Sequence, residues 1–144
     1  MVSVDKSGDG LPVAPRSHNV VVTGSAGFIG TALLKRLSSD ISITSLRGID
    51  ILESDGEVSD STHTRADVLA PGLENLLAGA DTVVHLAGVV DASSKGSLAA
   101  ITNVDGAQRL LDACASAGVT TIVRVIPTTI YGAWPTNPNE ITED

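Results

Sequence analysis

The stretch from Asn19 to Gly30 constrains this sequence more than any other, because it joins a β-branched run to three regularly spaced glycines. The run Val20–Thr23 predicts a buried parallel strand, and the apolar pattern after Gly27 predicts a helix. A glycine-rich turn between a strand and a helix presents free backbone N–H groups and the positive end of the helix dipole to an anion. The stretch therefore predicts a phosphate-binding turn.

Each glycine of this turn has a predicted role. Gly24 allows the chain to turn sharply out of the strand, and Gly27 lets the backbone approach a pyrophosphate without a Cβ atom. Gly30 lets the helix lie close to its strand, and the N–H groups of Phe28 and Ile29 have no partner within the helix. The alternative is an ordinary glycine-rich turn without a ligand.

The spacing of the glycines also carries a family resemblance. The general dinucleotide fingerprint is Gly-x-Gly-x-x-Gly, and Ser25 stands where it has its first glycine. Gly24, Gly27 and Gly30, each three residues apart after Thr23, instead resemble the extended short-chain dehydrogenase/reductase family of NAD-dependent epimerases and dehydratases. The resemblance covers residues 19–132 and implies a Rossmann-like, doubly wound parallel sheet with NAD as cofactor, NADP being the alternative.

The composition excludes several classes of protein. A chain of 144 residues suffices for one domain with a core but not for two. With 42% hydrophobic and 2% aromatic residues, the core must consist of Val, Ile, Leu and Ala, as expected for parallel strands covered on both faces. The formal net charge of −8 argues against nucleic acid or an anionic membrane as a partner.

The sequence predicts a disordered polar leader over residues 1–18, a dinucleotide-binding domain over 19–132 and an acidic, proline-containing tail over 133–144. No apolar run is long enough to cross a bilayer, and the leader lacks the apolar core of a signal peptide. Cys114 is the only cysteine, so a reducing cytoplasm is the expected location. The three histidines lack the spacing of metal ligands.

Hydrophobic periodicity predicts four further strands, which lie within Ile43–Ile49, Thr62–Ala66, Val83–Ala87 and Thr121–Ile126. Helices are predicted over residues 28–37, 71–79 and 98–117, the first with Ile29, Leu33 and Leu37 towards the sheet. Right-handed connections between parallel strands then give the strand order 3-2-1-4-5.

Asp50 is the predicted cofactor-selecting residue. It follows the second strand roughly twenty residues after Gly30, where a carboxylate accepts hydrogen bonds from the ribose hydroxyls of NAD and repels the 2′-phosphate of NADP. Arg47 is the alternative selector, because its cation would favour NADP if the strand ended three residues earlier. A third interpretation makes Asp50 a solvated loop carboxylate.

The resemblance implies further cofactor contacts at the ends of the third and fourth strands. Asp67 and Val68 match the aspartate and apolar residue that lie beside the adenine ring in the family; the alternative for Asp67 is a helix cap. His85-Leu86-Ala87-Gly88 resembles the family's His-x-Ala-(Ala/Gly) strand end, where small residues let the backbone pass beside the ribose and nicotinamide, so Leu86, Ala87 and Gly88 are expected at the cofactor.

Two polar residues are predicted to support the site. His85 lies within the fourth strand, where a neutral imidazole bonded to neighbouring backbone is favoured over a catalytic role. Asn103 begins the segment Asn-Val-Asp-Gly-Ala-Gln-Arg-Leu-Leu-Asp-Ala, which resembles a helix of the family. The resemblance implies that Asn103 orders the backbone of the active site.

The family's catalytic groups are a tyrosine, a lysine four residues later and a serine or threonine. Tyr131 is the only tyrosine here, Pro135 lies four residues beyond it, and no lysine follows Lys95. Tyr131-Gly132 matches a Tyr-Gly that precedes the catalytic tyrosine in relatives, and Pro127 stands where they have the serine or threonine.

The sequence therefore predicts an NAD-binding domain that stops before the family's sixth strand and substrate domain and lacks redox catalysis of its own. One alternative is a remodelled biosynthetic enzyme that transfers no hydride and uses the groove beyond Gly88 and Thr128. Another is a cofactor-sensing or interaction module that a partner completes. An open fifth strand would favour aggregation unless a partner chain or a second copy covers it.

Overall fold

The computed structural model of the protein describes residues 17–54, 58, 61–89 and 101–126. These residues form a five-stranded parallel sheet of order β3-β2-β1-β4-β5, which confirms the predicted fold class and strand order. The strands are β1 (His18–Thr23), β2 (Ile43–Asp50), β3 (Ser61–Arg65), β4 (Thr82–His85) and β5 (Thr121–Arg124). The helices are α1 (Phe28–Leu37), α2 (Leu73–Leu77) and α3 (Gly106–Ala117), with a π-helical turn over Ile101–Asp105. None of the helices in these ranges is long and apolar enough to cross a membrane.

The sheet carries a hydrophobic cluster on each face. On the face of α1 the buried side chains are Val20, Val22, Leu34 and Leu46. On the face of α2 and α3 the cluster is larger and comprises Val21, Ile49, Val68, Leu73, Leu77, Ala80, Val83, Leu110, Ala113 and Cys114. Successive residues of β1 therefore enter opposite clusters, because side chains alternate across a strand.

Helix α1 has the predicted bounds, but one predicted contact is wrong. Ile29 is 53% exposed instead of facing the sheet. Gly30 and Leu34 are the buried positions, with Leu33 and Leu37 partly buried beside them. The helix first touches the layer below it at Gly30, so the residues before Gly30 extend beyond the ends of the strands.

Other elements differ from their predicted bounds. Strands β4 and β5 each end two residues earlier; after β4 the backbone of Leu86 and Ala87 lies against Gly24 of the glycine turn. Helix α2 is short because glycines with positive φ, Gly72 and Gly79, flank it. The predicted long helix consists of the π-helical turn followed by α3, and residues 98–100 lie outside the described ranges.

Strand β5 is the outermost strand beside β4, and all four of its residues are exposed. Ile122 is 38% exposed and Val123 is 46% exposed, and these neighbours project from opposite faces of the sheet. Among the residues that the structure describes, no strand pairs with the outer edge of β5. This strand is therefore the least covered part of the sheet.

We expect Gly30→Ala to lower the free energy of unfolding by about 2–3 kcal/mol, because a Cβ atom there would meet the Gly24 carbonyl and lie 2.7 Å from the Ser25 Cα. The matched control is Gly27→Ala, whose Cβ atom would meet only the Gly24 carbonyl oxygen, at 3.3 Å. Its cost should stay below about 1 kcal/mol. Urea denaturation followed by circular dichroism measures both, and equal losses would contradict the packing role of Gly30.

Candidate functional site

The glycine turn lies at the carboxyl edge of the sheet, between the ends of β2 and β4. Gly24 has a φ of +74°, and its N–H donates to the Ile49 carbonyl at 2.8 Å. A Cβ atom on Gly24 would lie 2.6 Å from the backbone nitrogen of Ala87. Both the backbone conformation and the space at this position therefore require glycine, in agreement with the sharp turn predicted there.

Helix α1 begins directly after Gly27, whose carbonyl accepts the N–H of Thr31 at 2.9 Å. The N–H groups of Phe28, Ile29 and Gly30 come before this first bond, so they have no acceptor within the helix. The first turn carries no acidic side chain, and the Phe28 side chain is 93% exposed. The helix start thus offers backbone donors and the positive end of a dipole to an anion.

Asp50 ends β2, and its carboxylate connects two loops. Oδ2 accepts the N–H of Ala26 in the glycine turn at 3.0 Å, and Oδ1 accepts the N–H of Leu52 at 3.0 Å. Each carboxylate oxygen can accept a further hydrogen bond, so both can still meet a ribose hydroxyl. Asp50 is therefore fixed at the strand end and is not a free loop carboxylate.

The alternative prediction, that Arg47 selects between NAD and NADP, is wrong. It lies within β2 opposite Val21, so the strand does not end there. Its two terminal nitrogens donate to the carbonyls of Leu76 at 3.0 Å and Ala78 at 2.9 Å, at the C-terminal end of α2. Arg47 thus holds α2 against the sheet and is not directed to a cofactor.

Sequence reasoning missed a polar cluster behind the glycine turn. The Ser25 hydroxyl lies 3.2 Å from Nδ1 of His63 on β3, and Nε2 of the same ring lies 3.0 Å from the Leu52 carbonyl. Gly48 lies beneath Ser25, since a Cβ atom on Gly48 would be 2.7 Å from the Ser25 Oγ. No spacing in the sequence indicates this cluster, because it joins three separate strands through tertiary packing.

Asp67 and Val68 follow β3. The Asp67 side chain is exposed, whereas that of Val68 is buried. The Asp67 Oδ1 accepts the backbone N–H two residues ahead at 2.8 Å, and α2 begins only at Leu73. The alternative role of Asp67 as the cap of that helix is therefore wrong. The Val68 side chain is 5% exposed and belongs to the core, so only its backbone can meet an adenine ring.

The segment after β4 is held by Asn103 in the π-helical turn. The Asn103 Oδ1 accepts the N–H of Val89 at 2.8 Å, and Nδ2 donates to the Val89 carbonyl at 2.9 Å. A Cβ atom on Gly88 would lie 3.0 Å from the same Oδ1. Asn103 thus holds the backbone at Val89, directly after Leu86, Ala87 and Gly88, and its role in an active site stays a prediction.

His85 ends β4 beside Thr23, the last residue of β1. Its Nδ1 lies 2.7 Å from the Thr23 hydroxyl, and the residue is only 3% exposed. The predicted backbone partner is wrong, because the Thr23 hydroxyl occupies that position. Burial, with a smaller effect from the Arg124 cation, lowers the pKa of His85 from 6.5 to about 4, so the ring is neutral at pH 7.

The sequence positions that bear on catalysis lie outside the described residues. These are Lys95, Pro127, Thr128, Tyr131 and Pro135, and most of the predicted leader and all of the predicted tail lie outside as well.

Comparisons with known proteins identify the class of this domain. A family model, that of the 3-beta hydroxysteroid dehydrogenase/isomerase family, matches residues 21–134. The dTDP-glucose 4,6-dehydratase of Streptomyces antibioticus is 37% identical over 138 residues, which cover 81% of this chain and 41% of that protein. The corresponding enzyme of Streptomyces griseus is 35% identical over 130 residues, covering 80% of this chain and 39% of the relative.

Solved structures of an epimerase and of MoeE5 are also similar to this chain. The UDP-N-acetylglucosamine 4-epimerase of Methanobrevibacter ruminantium M1, in complex with UDP-N-acetylmuramic acid, has a TM-score of 0.75 at 26% identity over 90% of this chain and 44% of that one. MoeE5 in complex with UDP-glucuronic acid and NAD has a TM-score of 0.72 at 30% identity over 79% of this chain and 38% of that one.

The parallel sheet with a glycine turn at its carboxyl edge defines a Rossmann-like domain of the extended short-chain dehydrogenase/reductase class. Within that class, the chain belongs to the 3-beta hydroxysteroid dehydrogenase/isomerase family. It spans about 40% of the length of the curated relatives it matches, 39% and 41% for the two dehydratases. The predicted family resemblance is confirmed.

We expect His85 to make stability depend on pH. Its pKa is about 4 in the folded protein and has its ordinary value of 6.5 in the unfolded chain, so the unfolded chain binds more protons between these values and stability falls as pH falls through this window. The loss between pH 7 and pH 5 should be about 2 kcal/mol.

The measurement is urea denaturation of the wild type and His85→Gln at pH 7 and pH 5. The variant cannot titrate at this position, so its stability should fall less between the two values. His18→Gln, at the opposite end of the sheet, is the control and should behave as the wild type. The same pH dependence in wild type and His85→Gln would contradict the burial of a neutral ring.

Proposed function

We propose that this chain binds NAD at the carboxyl edge of its sheet. The observation that carries the proposal is the bond from the Ala26 N–H to the Asp50 carboxylate, which sets a ribose acceptor beside a phosphate-binding helix start. The diphosphate would lie over the N–H groups of Phe28, Ile29 and Gly30. NAD complexes of proteins that share this fold, MoeE5 among them, support the same cofactor.

The two ends of the cofactor would meet different strands. Asp67, which is exposed after β3, and the backbone of Val68 would lie beside the adenine. The ordered backbone of Leu86, Ala87 and Gly88 would lie beside the second ribose and the nicotinamide, with Asn103 holding it in place. Bound NAD would supply a hydride-accepting nicotinamide there.

We infer that these 144 residues do not themselves carry out the redox step. In the resembled family, a tyrosine and a lysine four residues later transfer the proton that accompanies the hydride, and this sequence has Tyr131 and Pro135 at that spacing. The neutral His85 does not replace the pair, because its Nδ1 is engaged by Thr23 and its Nε2 is buried, so neither nitrogen is open to a substrate. The chain is therefore proposed to be a cofactor-binding domain related to epimerases and dehydratases.

A second candidate function is a module that another polypeptide completes. The exposed β5 favours it, since Ile122, Val123, Val125 and Ile126 are between 38% and 53% exposed. Such a partner would cover apolar faces that otherwise promote aggregation. A monodisperse monomer in light scattering, stable without aggregation at high concentration, would argue against this candidate.

Isothermal titration calorimetry tests the cofactor. The wild type should bind NAD more tightly than NADP, because the Asp50 carboxylate accepts from the ribose hydroxyls and repels a 2′-phosphate. Asp50→Ala should weaken NAD binding about 10-fold or more and should weaken NADP binding less. The ratio of NAD affinity to NADP affinity should therefore fall.

The matched control is Asp112→Ala, which removes a carboxylate of the same type from the exposed side of α3. It should leave the affinities for both cofactors unchanged. Thermal unfolding of each variant separates loss of binding from loss of fold, since Asp50 also bonds to two backbone N–H groups. Absence of NAD binding to the folded wild type at millimolar concentration would refute the proposed function.

A further inference from the structure

His63 bridges the two loops that surround Asp50. The residue lies on β3 opposite Gly48 of β2, and its ring spans from the Ser25 hydroxyl, 3.2 Å from Nδ1, to the Leu52 carbonyl, 3.0 Å from Nε2. Ser25 is 2% exposed, so the hydroxyl at one end of this bridge is withdrawn from solvent. A polar ring therefore occupies the space behind the glycine turn.

The partners of the ring fix which nitrogen carries the proton. A carbonyl oxygen can only accept, so Nε2 must donate to Leu52. In the neutral ring Nδ1 is then an acceptor, and the Ser25 hydroxyl donates to it. His63 thus donates a hydrogen bond to the loop after β2 and accepts one from the loop after β1.

The same two loops supply the donors that hold Asp50. Ser25 directly precedes Ala26, whose N–H binds the Asp50 Oδ2, and Leu52 itself provides the N–H that binds Oδ1. His63 therefore contacts the chain next to both donors without touching the carboxylate. Displacement of either loop would move one of the two backbone N–H groups that orient the Asp50 carboxylate.

Gly48 makes this arrangement sterically feasible. A Cβ atom at this position would lie 2.7 Å from the Ser25 Oγ and 2.8 Å from the Ser25 Cβ. The Ser25 side chain therefore rests directly on the backbone of β2, at the level of His63 in the next strand. The Ser25 end of the bridge is thus packed against the sheet, whereas the Leu52 end is exposed.

We propose that His63 is a positioning residue for the adenosine half of the dinucleotide. By joining Ser25 to Leu52, it sets the Asp50 carboxylate relative to the glycine turn, so that ribose and diphosphate are bound together. This inference rests on the proposed NAD binding, and it assigns no contact between His63 and the cofactor.

The test compares NAD affinity, by titration calorimetry, of His63→Phe, His63→Gln and Ser25→Ala. Phenylalanine keeps a ring but removes both hydrogen bonds, and NAD binding should weaken about fivefold. Glutamine retains an N–H donor for Leu52 and should restore part of that loss. Ser25→Ala removes only the bond to Nδ1, so it should weaken binding about twofold, and the double variant Ser25→Ala, His63→Phe should lose about fivefold, not about 10-fold, because His63→Phe already breaks the Ser25 bond.

Spectroscopy separates positioning from general destabilisation. In ¹H–¹⁵N spectra of the unliganded protein, His63→Phe should shift the amide signals of Ala26 and Leu52, while that of Val89, held separately by Asn103, stays in place. The wild-type ring nitrogens should show the Nε2–H tautomer. His18→Phe is the control, at the opposite end of the sheet, and should alter neither NAD affinity nor these amides.

The outcomes are distinct. If the wild type does not bind NAD, the proposed function fails and this inference fails with it. If the wild type binds NAD but His63→Phe and Ser25→Ala bind it equally well, or if their losses multiply, the positioning role is overturned while NAD binding stands. If His63→Phe does not fold, Ser25→Ala and His63→Gln decide, since unchanged NAD affinity in both variants, together with an unchanged Leu52 amide signal, would also overturn it.

Discussion

The structure depends on how closely the backbone of the glycine turn approaches its neighbours. Gly24 lies against the backbone of Leu86 and Ala87, Gly30 lies against Ser25, and Ser25 rests on Gly48. At each of these three glycines, a Cβ atom would lie within 3 Å of another residue. This close packing fixes the first turn of α1 close to the end of β1, where its N–H groups have no acceptor within the helix.

An acidic protein can offer an anion site because charge acts locally. The formal net charge is −8, yet the first turn of α1 has no acidic side chain, and its backbone donors have no acceptor within the helix. The carboxylate of Asp50 lies next to the turn, but two backbone N–H groups share its charge and fix its position. In the proposed NAD complex, the same carboxylate would favour uncharged ribose hydroxyls over a phosphate, while the helix start would favour the diphosphate.

Cofactor binding and completion of the sheet involve different parts of the chain. The proposed contacts come from the ends of β1 to β4 and from the π-helical turn, whereas the exposed apolar residues lie on and after β5. The chain spans about 40% of the curated relatives, 39% and 41% for the two dehydratases. The proposed NAD contacts therefore lie apart from the exposed apolar residues of β5, although the pairing of β5 with β4 places Arg124 beside His85 and lets it bind the Asn103 carbonyl.

The sequence by itself determined the local features. Three glycines at fixed spacing, β-branched runs and a carboxylate after the second strand were enough for the fold class, the strand order, the bounds of α1 and the place of Asp50, because each follows from local geometry and periodicity. Only the tertiary structure decided which polar groups meet. It paired His85 with Thr23 instead of backbone, directed Arg47 to α2, buried Val68 and joined Ser25 to His63 across 38 positions. These contacts depend on strand register and on the space that a missing Cβ leaves, neither of which a pattern along the chain contains.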